Sequence, residues 1–227
     1  MELGFHDRAL HHDDTLVLAD CHLGKGEANV ELPIGDTTDV VDRFEALLAD
    51  LAPETVVVAG DLLHSYSTIP LSVREAVDAL HDAAAAHGAE LVVTPGNHDV
   101  QLEAVWDGPT PSEYRVGDTV ILHGHEAPTA EADAERYVVG HDHPTIVIEG
   151  RRRACYLVGE DCYRGSDVIV LPAFNRLLSG VVVNEMRAGE FMSPLITDAD
   201  ALSPEVIDED GGETLSFPGL GALREHL

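Results

Sequence analysis

Five short blocks of this sequence bring together residue types that bind metal ions and handle protons. They read Asp20-Cys21-His22, Gly60-Asp61 with His64 three residues on, Gly96-Asn97-His98-Asp99, His123-Gly124-His125 and Gly140-His141-Asp142-His143. Carboxylate, imidazole and amide donors without thiolate suit Mn²⁺, Fe²⁺ or Zn²⁺. In extended chain, residues i and i+2 point to the same side. Asp20 and His22 are therefore expected to converge with Cys21 turned away, and His141 and His143 to sit roughly 7 Å apart on one side. That separation can serve two metals about 3.5–4 Å apart. Asp61 is the natural bridge, since a carboxylate offers one oxygen to each ion. Two divalent cations, balanced by two carboxylates and a bridging hydroxide, leave a residual positive charge that suits a phosphate. A lone Gly-Asp, or one histidine after a strand, is ordinarily packing or surface; five such blocks in order exceed what packing explains.

What positions them is a series of apolar runs, one before each block. Thr15–Asp20, Thr55–Gly60, Glu90–Thr94, Thr119–His123 and Tyr137–Gly140 read as strands. Between the first three lie helical patterns, TTDVVDRFEALLADL and SVREAVDALHDAAAAHG, the second stopping on Gly88. Alternation of strand and helix implies a parallel sheet, and in such sheets sites form beyond the carboxyl ends of the strands. After Gly140 the runs TIVIEGRRRACYLV, SDVIVLPAF and GVVVN read as antiparallel strands with short turns. The expected fold is α/β: a two-sheet mixed β-sandwich flanked by helices. Residues 1–185 are expected to form its core domain, and 186–227 an acidic C-terminal extension with a short terminal helix and no separate domain.

The order Asp-x-His, Gly-Asp, Gly-Asn-His-Asp, His, Gly-His-x-His resembles the calcineurin-like metallophosphoesterases. The resemblance implies that Asp20, His22, Asp61 and His143 hold one metal and Asp61, Asn97, His123 and His141 a second. It implies that His98 contacts the phosphate and protonates the leaving group, with Asp99 orienting it. The block AGDLLHSYSTIP is similar to the GDLFH block of SbcD-type nucleases, which would place His64 near the phosphate. VLPAFNRLLSGVVVN and the chain length resemble the short archaeal SbcD-related phosphoesterases. More loosely they are similar to bacterial phosphoesterases associated with a DNA ligase and helicase, so a DNA-repair or helicase partner is implied. The residues after Asn184 are too few for the capping domain of the full nucleases. The implied function is a dimetal phosphodiesterase or nuclease acting on nucleic acid, DNA or RNA, or on nucleotides, through a metal-bridging hydroxide. Two divalent ions are implied, manganese first and iron or zinc otherwise. A phosphomonoesterase on a small metabolite and a non-catalytic scaffold are the competing readings; the intact acid, His98, argues against the scaffold.

Composition sets the setting. The 227 residues carry 42 acidic against 13 basic side chains, a formal net charge of -29, and Lys25 is the one lysine. Hydrophobic content of 44% argues against disorder. At 1 M salt the Debye length is about 3 Å, so such a surface barely repels itself; a high-salt, halophilic cytoplasm is expected. No apolar run approaches the roughly 18 residues of a membrane span, and no signal-peptide pattern opens the chain. Three cysteines without a Cys-x-x-Cys pair argue against disulfides and structural zinc. Arg151–Arg153 either guide a nucleic acid strand or pair with carboxylates on a hairpin. Lys25 and His125 could each touch the site or its rim; His11–Asp14 read as a solvated turn, and Cys21 as packed behind the site.

Overall fold

Each apolar run forms a strand, and each strand stops where its chemical block begins. The computed structural model describes residues 3–25, 36–64, 68–129, 134–207 and 214–225. Residues 208–213 and 226–227 of the acidic extension lie outside the described residues. The first sheet runs β1 (Leu3–His6), β2 (Ala9–His12), β3 (Thr15–Leu18), β4 (Thr55–Val58), β5 (Glu90–Val93) in spatial order. Strands β3, β4 and β5 are parallel, with Val17 opposite Val57 and Val57 opposite Val92. Their crossovers are α1 (Asp36–Leu51) and α2 (Leu71–Ala86). Val40, Phe44, Leu47 and Leu48 recur at helical spacing on α1, as do Val73, Ala76, Val77 and Leu80 on α2; both stripes are buried against the sheet.

The second sheet contains β6 (Tyr114–Val116), β7 (Thr119–Leu122), β8 (Arg136–Val139), β11 (Tyr156–Tyr163), β12 (Ser166–Val170), β14 (Ser203–Ile207) and β15 (Thr214–Ser216). A smaller sheet holds β9 (Pro144–Ile148), β10 (Arg151–Ala154) and β13 (Val181–Val182). Alternate residues face opposite sides of a strand. Leu16, Leu18, Val56 and Val58 therefore meet the helices, while Val17, Val57 and Val92 meet Ile121, Val138 and Ile169 of the second sheet. The result is the expected mixed α/β sandwich.

One expectation is corrected. Strand β12 pairs antiparallel with β11 but parallel with β8, and β13 pairs parallel with β9. The hairpin β11–β12 folds back so that β12 lies beside β8, giving β7, β8 and β12 a common direction. The carboxyl end of β12 consequently delivers Leu171–Asn175 to the same edge as the five blocks. From residue 186 on, Phe191, Leu195, Ile196, Leu202, Val206 and Leu220 of α3 (Leu220–Arg224) are buried in the second sheet's outer core, and β14 pairs with β11.

Candidate dimetal centre

All five blocks lie at the carboxyl ends of β3, β4, β5, β7 and β8, where the two sheets meet. The backbone there is unusual. Asp20, His22, Asp61, His141 and His143 all have positive φ, from 39° to 71°. Asp and His tolerate this left-handed region better than most residues. Convergence of Asp20 with His22 therefore comes from left-handed turns and not from the extended chain expected. Gly60, at φ 77°, faces His123 so closely that a Cβ would lie 2.3 Å from its Nδ1. A Cβ on Gly96 would lie 2.2 Å from Asp61 Oδ1.

The ligand-type atoms of the described residues gather into three groups: Asp20–His22–His143, Asp61–His123–His141 and, flanking the first, His22–His64–His98. In the first, Asp20 Oδ1, His22 Nε2 and His143 Nε2 are buried without a hydrogen bond, and the carboxylate lies 3.0 Å from His143 Nε2. In the second, His123 Nδ1 lies 3.1 Å from the Ala59 carbonyl, so its proton belongs on Nδ1. The lone pair of Nε2 then faces Asn97 Oδ1 at 3.1 Å, His141 Nδ1 at 3.1 Å and Asp61 Oδ2 at 3.4 Å. Acceptors crowded against acceptors are what a cation resolves, so these first two groups fit divalent metals of the kind their donors suit.

Asp61 joins these two groups. Its Oδ2 lies 3.5 Å from His22 Nε2 and 3.4 Å from His123 Nε2, while Oδ1 accepts the His98 amide at 2.8 Å. One oxygen thus faces both groups, where the sequence reading assigned one oxygen to each. Asp20 divides its oxygens likewise: Oδ2 accepts the His141 amide at 3.0 Å. Each carboxylate ties down another ligand loop, that of His98 for Asp61 and that of His141 for Asp20, with the oxygen it does not present to the centre.

Electrostatics follow from this crowding. Burial works against ionised Asp61, but the His123 hydrogen bond and charge, with the His98 amide, hold it down at about 2. Burial likewise disfavours protonated His123, but Asp61 and Asp20 raise it to about 9, so a proton competes with a cation for Nε2. His22 falls to about 4 through burial, which outweighs Asp20 and Asp61. His141 falls to about 4 through burial and the neighbouring His123. His143 is raised, Asp20 overcoming its burial.

His98 and His64 flank the first group. Their rings stack at 5.9 Å and lie 4.9 Å and 5.6 Å from His22. His64 Nδ1 is 3.4 Å from His22 Nδ1. Asp99 bonds backbone amides: its carboxylate accepts from Leu63 at 2.9 Å, Gly96 at 2.9 Å and Leu62 at 3.3 Å. It welds the loops after β4 and β5 together, so any orientation of His98 by Asp99 runs through the main chain. His125 sits on the other flank, 5.1 Å from His123 and 6.1 Å from His141. Cys21 is fully buried in the helix-side core, and burial raises its thiol pKa. Of residues 11–14, expected as a solvated turn, His11 and His12 instead end β2, with His12 buried against Thr119, and Asp13–Asp14 alone turn into β3, at the opposite end of β3 from the centre.

Asn175 carries no metal-type signature, yet it touches the centre's backbone. It is buried, and its Nδ2 donates to the Cys21 carbonyl at 2.9 Å and the His22 carbonyl at 3.4 Å. Behind it, buried Arg43 of α1 donates to the Phe174 carbonyl at 2.7 Å and to Asp7 at 2.7 Å. Asp142, turned away from the ligands, accepts the Met192 and Ser193 amides and so ties the His141–His143 turn to the C-terminal segment.

No curated protein sequence matches the chain. A nuclease MPE from Pseudomonas putida is 22% identical with a TM-score of 0.64, over 93% of this chain and 92% of its own. The phosphoesterase Yfce from E. coli is 15% identical with a TM-score of 0.42, over 86% and 88%. The first of these likenesses speaks to the fold. The family model described as calcineurin-like phosphoesterase matches residues 14–175. With its α/β sandwich and its paired Asp/His groups, the chain belongs to the calcineurin-like phosphoesterases and is a metal-dependent phosphoester hydrolase.

Proposed function

We propose that this hydrolase cleaves phosphodiesters of nucleic acids or nucleotides with two divalent cations, and that it stands near the short SbcD-related phosphoesterases. The observation that carries the dimetal reading is Asp61 Oδ2, facing both ligand groups at 3.4–3.5 Å. Asp20, His22, His143 and Asp61 would hold one ion; Asp61, Asn97, His123 and His141 the other. Manganese leads the metals this oxygen-and-imidazole set suits. When bound, the ions supply positive charge for the phosphoryl oxygens and lower the pKa of the attacking water.

The chain's own groups do the rest. With His22 Nε2 turned to the centre, its Nδ1–H donates to His64 Nδ1. That puts the His64 proton on Nε2, as a donor for a phosphoryl oxygen. His98, held through its amide by Asp61, donates its proton to the leaving oxygen. The hairpin β9–β10 starts directly after His143 and carries Arg151–Arg153, the densest positive charge of an acidic chain, which favours a polyanionic substrate.

A panel assay with Mn²⁺ in molar KCl tests this. It compares a bis-aryl phosphate, a mono-aryl phosphate, single-stranded DNA and 2′,3′-cyclic nucleotides. Diester hydrolysis is expected to exceed monoester hydrolysis. Turnover of the mono-aryl phosphate alone would replace this reading by a phosphomonoesterase.

A further inference from the structure

A cleft of about 280 Å³ opens on the flank opposite His98 and His64. It lies between Pro95, at the end of β5, and the segments around β6 and β7. Thr110, Ser112, Glu113, His125 and Glu126 line it, and its inner wall is His123, a member of the second ligand group. The two flanks differ in chemistry. On the His22 side stand two imidazoles able to donate protons. On the His123 side stand hydroxyls, two carboxylates and His125, whose buried Nδ1 has no hydrogen-bond partner. Glu113 keeps its place by accepting from the Thr129 amide and hydroxyl.

A phosphodiester at the centre has one group that leaves and one that stays. With the acid beside His22, the leaving group lies toward His98 and His64, and the retained group lies toward His123 and the cleft. The cleft volume is near the lower end of small-molecule sites, about 300 Å³. Two carboxylates on its wall disfavour a second phosphate. We propose that this cleft receives the group retained on phosphorus, an uncharged, hydrogen-bonding end of nucleoside size. The inference rests on the phosphodiesterase reading above. Water adds to phosphorus, the bond from phosphorus to the leaving oxygen breaks, and that oxygen takes a proton. The product is a nucleoside monophosphate whose nucleoside still occupies the cleft. A monoester has no such group, so the cleft contributes to diesters alone.

Two substrates with one leaving group isolate the cleft: thymidine 5′-(p-nitrophenyl phosphate) and p-nitrophenyl methyl phosphate. Wild type is expected to favour the thymidine ester by about tenfold in kcat/KM, the scale of a modest pocket's discrimination. Ser112 is exposed, so Ser112→Trp fills the cleft without entering the core and is expected to bring that ratio close to one. A thymidine ester carrying a 3′-phosphate is expected to be a poorer substrate than the 3′-hydroxyl form, and Glu126→Gln to narrow the gap. Equal turnover of the two esters by wild type, or a preference that survives in folded Ser112→Trp, overturns the assignment. A 3′-phosphate that improves turnover overturns the uncharged end. Failure of wild type to cleave either diester overturns the phosphodiesterase reading itself, and the retained-group site with it.

Discussion

Replacing Asn175 by alanine removes a side chain that no metal would touch, yet metal binding is expected to suffer. Its Nδ2 donates to the Cys21 and His22 carbonyls, and Cys21 has no solvent exposure. The His22 carbonyl retains the Lys25 amide at 3.1 Å. The Cys21 carbonyl loses its Asn175 donor in a place water does not reach, at a cost of about 1–3 kcal/mol. A second effect acts on function. Asp20 and His22 hold φ of 57° and 39°, and such backbone costs about 1–3 kcal/mol per residue unless its surroundings enforce it. Asn175 bonds two successive carbonyls within that turn, those of Cys21 and His22. Freed, the turn relaxes and the Asp20 and His22 donors drift apart, for which about 10–100-fold in metal affinity is the usual scale. Asn175→Asp keeps the volume but turns an oxygen toward the two carbonyls, so it is expected to lose at least as much. Mn²⁺ titration by calorimetry, beside urea unfolding in the same KCl buffer, separates the two effects. A variant that loses stability yet binds Mn²⁺ within about twofold of wild type would refute the reasoning and leave Asn175 a packing residue.

Three further outcomes follow from the same geometry. His98→Ala is expected to keep its metals and lose about 10²–10⁴-fold in turnover, less for aryl than for alkyl leaving groups; equal losses for both would confine His98 to positioning phosphate. Gly60→Ala places a methyl 2.3 Å from His123 Nδ1 at φ 77° and is expected to lower Tm and impair Mn²⁺ binding at the His123 group; near wild-type values of both would contradict the close approach. With net charge -29, activity on a small diester is expected to rise from about 0.1 M KCl into the molar range as screening grows. A chain that stays folded and is most active at the low end would remove the halophilic reading.

The five blocks were legible because side-chain type carries their chemistry and an apolar strand announces each of them. Helices α1 and α2 were legible from the spacing of Val40, Phe44 and Leu47 and of Val73, Val77 and Leu80. Asn175 was not, because its partners are the carbonyls of Cys21 and His22, and a carbonyl has no residue type to read. Arg43 was hidden for the same reason, acting on the Phe174 carbonyl from a helix far away in sequence. The left-handed turns at Asp20 and His22 escaped because neither residue requires that conformation. The parallel pairing of β12 with β8 escaped because fully buried strands alternate no polar face that would declare a neighbour. Strand β14 was obscured by Pro204 and Glu205 inside a short run.

The central claim is that one carboxylate oxygen of Asp61 serves two cations. Elemental analysis of purified protein after Mn²⁺ loading in KCl, with folding followed by circular dichroism, tests it most directly. Wild type is expected to hold two ions per chain, His22→Ala chiefly one, and Asp61→Ala neither. Two ions retained by folded Asp61→Ala, or a single ion in wild type, would contradict the account.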